Sequence, residues 1–427
     1  MRGMRIIVVG AGVVGATTTL VLAERGFEVV LVDRADAPGM ETSFANGSGL
    51  TPCHAEPWNS PGTLKRLPSA LLHADRPWRL HARAVPQLAS WGWQFLRHSR
   101  PDRYLRNTRN CVRLGLYSSA CLGRLRRRHA LHYDQITRGS LELYFSAREF
   151  EHALQLRREI ELDPEHYQGL DRDALLALEP SLKPIADRIY RSLLFPAHES
   201  GDAHIFSRIA VEHAAALGAE LRLGECVTAL DCDSNGFRAL DTDRGRIEAD
   251  ACIVAAGCDS PTLLRPLGLR LPIQPVKGYS ATITLDPDDP APSLPLLDLG
   301  RRFVTARLGP TRLRIAGLAE FAGHDRSLDS RRLRMLLENA AALLPALRSR
   351  ILESEANGWT GLRPMTPDGA PLLGPTPVHG LFLNTGHGAM GWTHAAGSAE
   401  LLADLLAGQT PAIDTAGLLA ERWIGRG

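Results

Sequence analysis

The stretch from Arg5 to Arg34 constrains the fold more than any other, because it reads as strand, glycine turn, helix and strand in quick succession. Arg5-Ile6-Ile7-Val8-Val9 is a short β-branched apolar run of the kind that fills a strand buried on both faces. It stops at Gly10-Ala11-Gly12-Val13-Val14-Gly15, a GxGxxG turn. Gly10 permits the tight turn, and Gly12 lets backbone N–H groups at Val13 and Val14 approach a pyrophosphate at the positive end of the following helix. Gly15 lets that helix pack close to the strand. The helix is predicted to run to Arg25, with Gly26 as its left-handed stop. Glu28 to Val32 then form a second strand, and Asp33 sits at its end, about 20 residues past the glycines, where a carboxylate accepts ribose hydroxyls. Arg34 follows it. An adenine dinucleotide is implied.

The same stretch has a decoy reading. Ile6 to Ala23 carries no charge and follows Arg2 and Arg5, as a signal peptide or membrane span would. Three glycines and Thr17-Thr18-Thr19 dilute it, no small-x-small cleavage site follows, and the next residues make a strand. A cytoplasmic location is therefore expected. Seven cysteines without a CxxC pair fit reduced thiols in that compartment. A net charge of +2 argues against nucleic acid as partner. No metal-ligand spacing stands out, since His198, Glu199, Asp202 and His204 fall in a turn where capping and hydrogen bonding explain them.

After Asp33 the chain becomes small and polar from Ala37 to Gly49, too irregular for a helix and too glycine-rich for a core strand. This segment, with Thr42, Ser43, Asn46 and Gly47, is expected to lie along the cofactor. Glu41 to Gly49, followed by Thr51-Pro52 and Ala55-Glu56-Pro57-Trp58, resembles the flavin-contacting segment of bacterial FAD-dependent D-amino-acid dehydrogenases. Together with GAGVVG, a strand ending Ala255-Ala256-Gly257, PVKGYS, GWTGLRPMTPDG and LNTGHGAMGWTHAAGS, the resemblance extends over nearly the whole chain. It points to the D-amino-acid dehydrogenase branch of the D-amino-acid oxidase and glycine oxidase superfamily. The fold it implies is α/β, with a Rossmann-type FAD-binding domain interleaved with an α+β substrate domain built on an antiparallel sheet.

The order of elements agrees. From Trp58 to His129 the chain is rich in Trp and Arg. One reading is a pair of amphipathic helices with Leu114, Tyr117, Cys121 and Leu125 inward. The other is a surface that rests on anionic lipid headgroups of the inner membrane. Gly139 to Phe145 alternates as a half-buried strand should, a helix follows from Ala147 to Glu161, and Asp171 and Asp202 cap further helices. Short strands near 220–223, 226–231 and 237–241 lead to the buried strand Asp250 to Val254. A classical NAD domain completes its parallel sheet in one run, whereas here the matching strand arrives late, as in interleaved flavoproteins. Val227, Ala256 and Gly257 join the expected cofactor contacts there. Residues 274–285, 302–307 and 312–318 read as antiparallel strands that roof the flavin. The expected division is 1–60, 200–270 and 355–427 for the FAD-binding domain, and 61–199 with 271–354 for the substrate domain.

Near the end, Thr385-Gly386-His387-Gly388-Ala389-Met390-Gly391-Trp392 joins a strand to a helix, so its N–H groups can meet the flavin pyrimidine oxygen, where charge collects on reduction. In the superfamily the arginine matching Arg363 holds the substrate carboxylate, a task that suits a bidentate fork. The alternative is a structural ion pair with an acid such as Asp368. Tyr279 could reach the same carboxylate or belong to the core. The resemblance implies hydride transfer from Cα to flavin N5, with electrons passed to a quinone or other carrier. The substrate amine must be neutral first, and His54 or His387 could accept its proton or merely hydrogen-bond. FAD is expected to be non-covalent, because no Cys lies near the GLRP segment to tether it. A soluble amine oxidase using oxygen and a flavin-bearing subunit without turnover are the rival readings.

One departure from the family bears on the substrate. Where the dehydrogenases commonly carry Tyr after Pro-Gly, this chain has Pro52-Cys53-His54. An imidazole is shorter and titrates near neutrality, so it could hydrogen-bond a substrate hydroxyl or take a proton from a secondary amine. D-proline and cis-4-hydroxy-D-proline are thus expected to outperform D-alanine.

Overall fold

The computed structural model describes residues 3–65 and 76–424. Part of the Trp- and Arg-rich stretch, residues 66–75, lies outside the described residues. A six-stranded sheet runs in the order Leu372–Pro375, Leu381–Thr385, Ala251–Val254, Arg5–Val9, Glu28–Asp33, Glu220–Leu223. All its pairs are parallel except the edge pair of Leu372–Pro375 with Leu381–Thr385. Alternate side chains of each strand enter different cores: Ile6, Val8, Val29, Leu31 and Ile253 face the helices, and Ile7, Val9, Val30, Val32, Cys252 and Val254 face the opposite layer. Burial on both faces explains why these strands read as continuous apolar runs.

The helix layer is built on Val13–Glu24, which packs against Ala203–Ala216 and Gly391–Leu406. Thr17, Thr18 and Thr19 are wholly buried in it because their hydroxyls donate to the carbonyls of Val13, Val14 and Gly15 at 2.6, 2.7 and 2.9 Å. The opposite layer is a three-stranded meander, Val227–Asp233, Gly236–Thr242 and Gly245–Glu248.

A nine-stranded sheet, mostly antiparallel, carries the rest. Its path is Gly358–Met365, Gln274–Thr284, Arg312–Phe321, Phe303–Leu308, Leu296–Asp298, Ser140–Tyr144, Arg191–Phe195 and Gln168–Leu170, with Trp78–Leu80 beside Arg312–Phe321. Two pairs are parallel, Leu296–Asp298 with Ser140–Tyr144 and Trp78–Leu80 with Arg312–Phe321. The strand Gly358–Met365 pairs along Gln274–Ala281, so residues 358–365 join this sheet although the boundary expected at 355 assigns them to the cofactor domain. Ser140–Tyr144 is buried along its whole length, including Glu142, instead of half-buried. The helix pair of the Trp- and Arg-rich stretch forms as Val85–His98 and Pro101–His129, with Leu114, Cys121 and Leu125 in the core.

Candidate active site and cofactor cradle

A cavity of 1380 Å³ is lined by residues of both the six-stranded and the nine-stranded sheet. At one end it is walled by Gly10, Gly12, Val13, Val14, Asp33, Arg34, Thr42, Ser43, Asn46 and Gly47. Gly10 has a φ of +107°, and a Cβ there would meet the Ala255 carbonyl oxygen at 2.7 Å. Gly15 lies off the wall, and its role is packing: a Cβ would sit 1.8 Å from the Gly10 oxygen. Gly12 differs, since the nearest atom to its Cβ position is Ser43 Oγ at 3.5 Å. The space it leaves opens on the cavity, at the start of the Val13–Glu24 helix, where an anion is favoured.

Asp33 accepts from the N–H groups of Ala11 and Ala35 at 2.5 and 2.8 Å, which fixes the carboxylate at the cavity wall. Its pKa is raised by burial, against those hydrogen bonds. Each oxygen keeps a further acceptor position for a ribose hydroxyl. Arg34 is held by Glu41 and Asp259 at 2.7 and 3.0 Å. Thr42 donates to the Leu362 carbonyl at 2.7 Å and Ser43 accepts from the Val13 N–H at 3.0 Å, so this loop ties the turn to the strand bearing Arg363. Val227, Ala256 and Gly257 line the same region. The segment Gly386, His387, Gly388, Ala389, Met390 and Gly391 closes the cavity, with φ of +74° at Gly386 and +56° at Gly388 before the helix Gly391–Leu406 begins. Two helix N-termini thus face one elongated space, a donor set that fits the diphosphate and the polar ring edge of a flavin dinucleotide.

Arg363 stands on the roof. Its Nη1 donates to the Leu318 carbonyl at 3.0 Å, and its guanidinium carbon lies 5.2 Å from the centre of the Trp58 ring. Leu318 has a φ of +60° at a bulge where the register between Gln274–Thr284 and Arg312–Phe321 shifts. The bulge turns that carbonyl toward Arg363. The guanidinium also lies over Gly278, where a Cβ would come within 2.4 Å of it. Among the described residues no carboxylate pairs with Arg363, and burial alone pushes its pKa down to about 10. Asp368, the expected alternative partner, accepts instead from Arg422 at 2.7 Å and from the Trp423 indole at 3.0 Å.

Tyr279 is placed differently from expectation. Its hydroxyl donates to Glu320, beside Lys277, and its ring belongs to the core under helix Ser330–Leu343. Neighbouring residues of a strand face opposite ways. Val276 and Gly278 share a face with Arg363, so the Tyr279 phenol points to the opposite face of the strand, although the residue borders the cavity. His387 lines the cavity but is buried, with Nε2 3.1 Å from Ser398 Oγ. Burial, reinforced by His394, holds its pKa well below the usual value, which argues against it as the acceptor of a substrate proton.

His54 stands in a different environment. Its Nδ1 is 2.8 Å from Glu56 Oε2 and 3.3 Å from Glu142 Oε1. Arg157 reaches both acids, at 2.9 Å to Glu142 and 3.5 Å to Glu56. Burial opposes a charge on His54, but the two carboxylates outweigh it and the pKa is raised. Burial likewise opposes ionisation of Glu56, and His54 and Arg157 nevertheless hold it near 2. Glu142 and Arg157 were missed from sequence, because a charged residue in an alternating strand or a helix reads as solvent-facing. Gly278 was missed as well, its only sign being a glycine inside a long strand.

A model of FAD dependent oxidoreductases matches residues 5–405. The chain belongs to the FAD-dependent oxidoreductase family. Among the relatives of this oxidoreductase, a protein from Paramagnetospirillum magneticum named D-amino acid dehydrogenase is 43% identical, covering 98% of this chain and 99% of the relative. One of the same name from Rhizobium johnstonii is 39% identical over 98% of this chain and 100% of the relative. Glycine oxidase from Geobacillus kaustophilus shares the fold over the full length of both chains, with a TM-score of 0.74 at 24% identity. L-proline dehydrogenase from P. horikoshii does so with a TM-score of 0.76 at 16% identity, covering 100% of this chain and 97% of that one. The cofactor is FAD, and the cradle fits it.

Cys258 corrects one expectation: it lies beside the GLRP segment in space, its thiol 3.5 Å from the Leu362 carbonyl. Burial raises its pKa, so the thiol is protonated and unreactive, in keeping with FAD held without a covalent bond.

Proposed function

We propose that this flavoenzyme oxidises the Cα–N bond of D-amino acids, with cyclic D-imino acids such as D-proline and cis-4-hydroxy-D-proline as the preferred substrates, and passes the electrons to a quinone or other carrier. The observation that carries the reading is Arg363, a cavity-facing guanidinium without a carboxylate partner among the described residues. A substrate carboxylate supplies the missing charge. Bound FAD supplies the acceptor for the hydride that leaves Cα. The turn at Gly10–Val14 and Asp33 would hold its diphosphate and ribose, and the Gly386–Gly391 segment its ring. Trp58 supports the guanidinium from one side, and Gly278 leaves room for it on the other. The polar wall at His54, Glu56 and Arg157 suits a substrate with a polar group beyond the amine better than it suits an alkyl side chain.

Membrane contact is part of the reading and narrows to one place. Trp58 and Trp78 line the cavity and Trp91 is buried, whereas Trp93 is 65% exposed, with exposed Arg97 one helical turn on and exposed Arg100 just past the end of the helix. No helix among the described residues is long and apolar enough to cross a membrane. A cytoplasmic protein resting on the inner membrane through this patch meets both observations.

Anaerobic mixing with separate D- and L-amino acids tests the core of the proposal. Flavin absorbance should bleach with D-proline and cis-4-hydroxy-D-proline faster than with D-alanine, and not with L-proline. Bleaching by no amino acid would leave a flavin-bearing subunit without turnover.

A further inference from the structure

The His54 cluster is more than a polar wall. Three of its members line the cavity, His54, Glu56 and Arg157, while Glu142 sits behind them, wholly buried. Glu142 is satisfied by Arg157 and by the Tyr144 hydroxyl at 2.5 Å. Glu56 is held differently: both its oxygens are shut off from solvent, and its close contacts are the charged edges of His54, at 2.8 Å, and Arg157, at 3.5 Å. Counting charge, two carboxylates face one guanidinium, and the set balances only when the imidazole carries its second proton. An unbalanced buried charge is costly, so the fold favours the imidazolium.

The other groups packed around the ring do not upset that balance. His198, behind Cys53, is held neutral by burial and by the charge on His54, with its Nδ1 2.8 Å from Ser140 Oγ. Burial pushes the Cys53 thiol up to about 12 and raises the Tyr104 and Tyr144 hydroxyls, so all three stay protonated. With Nδ1 committed to the carboxylates and His54 lining the cavity, the ring nitrogen left for a substrate is Nε2.

We infer that Glu56 is a positioning residue that fixes His54 with Nδ1 inward, so that its Nε2–H reads an acceptor oxygen on the substrate, such as a ring hydroxyl. The inference rests on the substrate reading above and deepens it. It also assigns His54 the role of a charged donor instead of a base for the substrate amine. No bond is made or broken by this group, and its proton stays on Nε2.

The test compares kcat/KM for cis-4-hydroxy-D-proline with that for D-proline, as a ratio, from about pH 5.5 to 8.5. Taking the ratio removes changes common to both substrates, including those of the flavin and the acceptor. The imidazolium donates from Nε2 to a hydroxyl oxygen, whereas the neutral ring with its one proton on Nδ1 has no donor there, so the ratio should fall roughly tenfold as pH rises and His54 loses its proton. In Glu56→Gln the carboxylate that sustains the charge is gone, and the midpoint of that fall should move to lower pH. Glu56→Asp should restore part of the shift, and His54→Gln should give a low, flat ratio. Nitrogen-15 histidine NMR of the FAD-loaded protein without substrate gives a second readout. It should report Nδ1 protonated throughout and an ionisation above the ordinary value, lowered by Glu56→Gln or, if that variant fails to fold, by Glu142→Gln. A flat wild-type ratio overturns the inference, and so does a His54 ionisation indifferent to both glutamates. If neither imino acid is oxidised, the substrate reading fails on its own and the NMR titration still decides the role of Glu56.

Discussion

Replacing Arg363 with Met separates two consequences that a carboxylate anchor and a structural arginine would share only in part. In the ligand-free protein the guanidinium is poorly solvated: a pKa pushed from 12.5 down to about 10 corresponds to a charged form disfavoured by about 3 kcal/mol. Met removes that cost and fills much of the volume. Against this, the Leu318 carbonyl loses its donor, at about 1 to 3 kcal/mol, and Trp58 loses a cation over its face, at about 0.5 to 2 kcal/mol. These offset one another, so unfolding stability should change by no more than about 2 kcal/mol. Substrate binding has no such compensation. A desolvated carboxylate without its partner loses roughly 2 to 5 kcal/mol, or about 30-fold to several thousand-fold in affinity. Equilibrium titration of the flavin absorbance with an unreactive carboxylate such as benzoate measures the second quantity, and thermal unfolding with and without it measures the first. Wild type should gain stability with the carboxylate and the variant should not. Carboxylate affinity within threefold of wild type, or loss of flavin with kinetics otherwise intact, would refute the reasoning.

Other outcomes are expected from the same geometry. Gly278→Ala places a methyl group where the Arg363 guanidinium lies, so KM should rise at least tenfold with FAD content unchanged, and normal KM would mean the arginine has another place to sit. Gly12→Leu fills space that opens on the cavity and should yield colourless, folded protein; retained yellow colour would displace the diphosphate from that turn. Electron transfer should go to dye or quinone far faster than to oxygen, and stoichiometric peroxide without binding to anionic vesicles at low salt would favour a soluble oxidase. Glu56 ionises near 2 in the fold against about 4.5 when unfolded, so its stabilisation is complete above pH 4.5 and is lost as pH falls toward 2. Urea unfolding should show wild type losing up to about 3 kcal/mol over that window relative to Glu56→Gln, and parallel curves would contradict it.

Much of the cofactor half was legible because its physics is local. Arg5–Val9, the glycine turn, Val13–Glu24 and Glu28–Asp33 each follow from patterns a few residues long, and the observed limits differ from those expected by a residue or so. Caps were legible for the same reason: Asp171 and Asp202 each accept from N–H groups two or three residues on. The antiparallel sheet was less so. Its longer strands were expected, but Leu296–Asp298, Gln168–Leu170 and Trp78–Leu80 were not, and the parallel pairing of Leu296–Asp298 with Ser140–Tyr144 and the inclusion of Gly358–Met365 depend on partners far away in the chain. Tyr279 shows the limit most clearly. The residue type and segment suggested a substrate contact, yet strand alternation turns the phenol to the face opposite Arg363, and only the pairing with Gly358–Met365 reveals which face that is.

Apart from His54, the polar end of the cavity was illegible for a physical reason, not for want of motif. His54 and Glu56 come from a loop, Glu142 from a buried strand and Arg157 from a helix, and each alone has an ordinary solvent-facing explanation. What makes them functional candidates is their mutual neutralisation away from water, a property of the set and of none of its members. An apolar replacement of comparable size would fill the same space without the desolvation cost, so packing alone does not explain four ionisable groups there. The substrate proposed above, with a polar atom beyond its amine, would account for them. On the reading proposed above, Arg363 and His54 mark the two ends of such a molecule: a carboxylate at the unpaired guanidinium, and an acceptor oxygen at the imidazole that Glu56 and Glu142 hold by its other nitrogen.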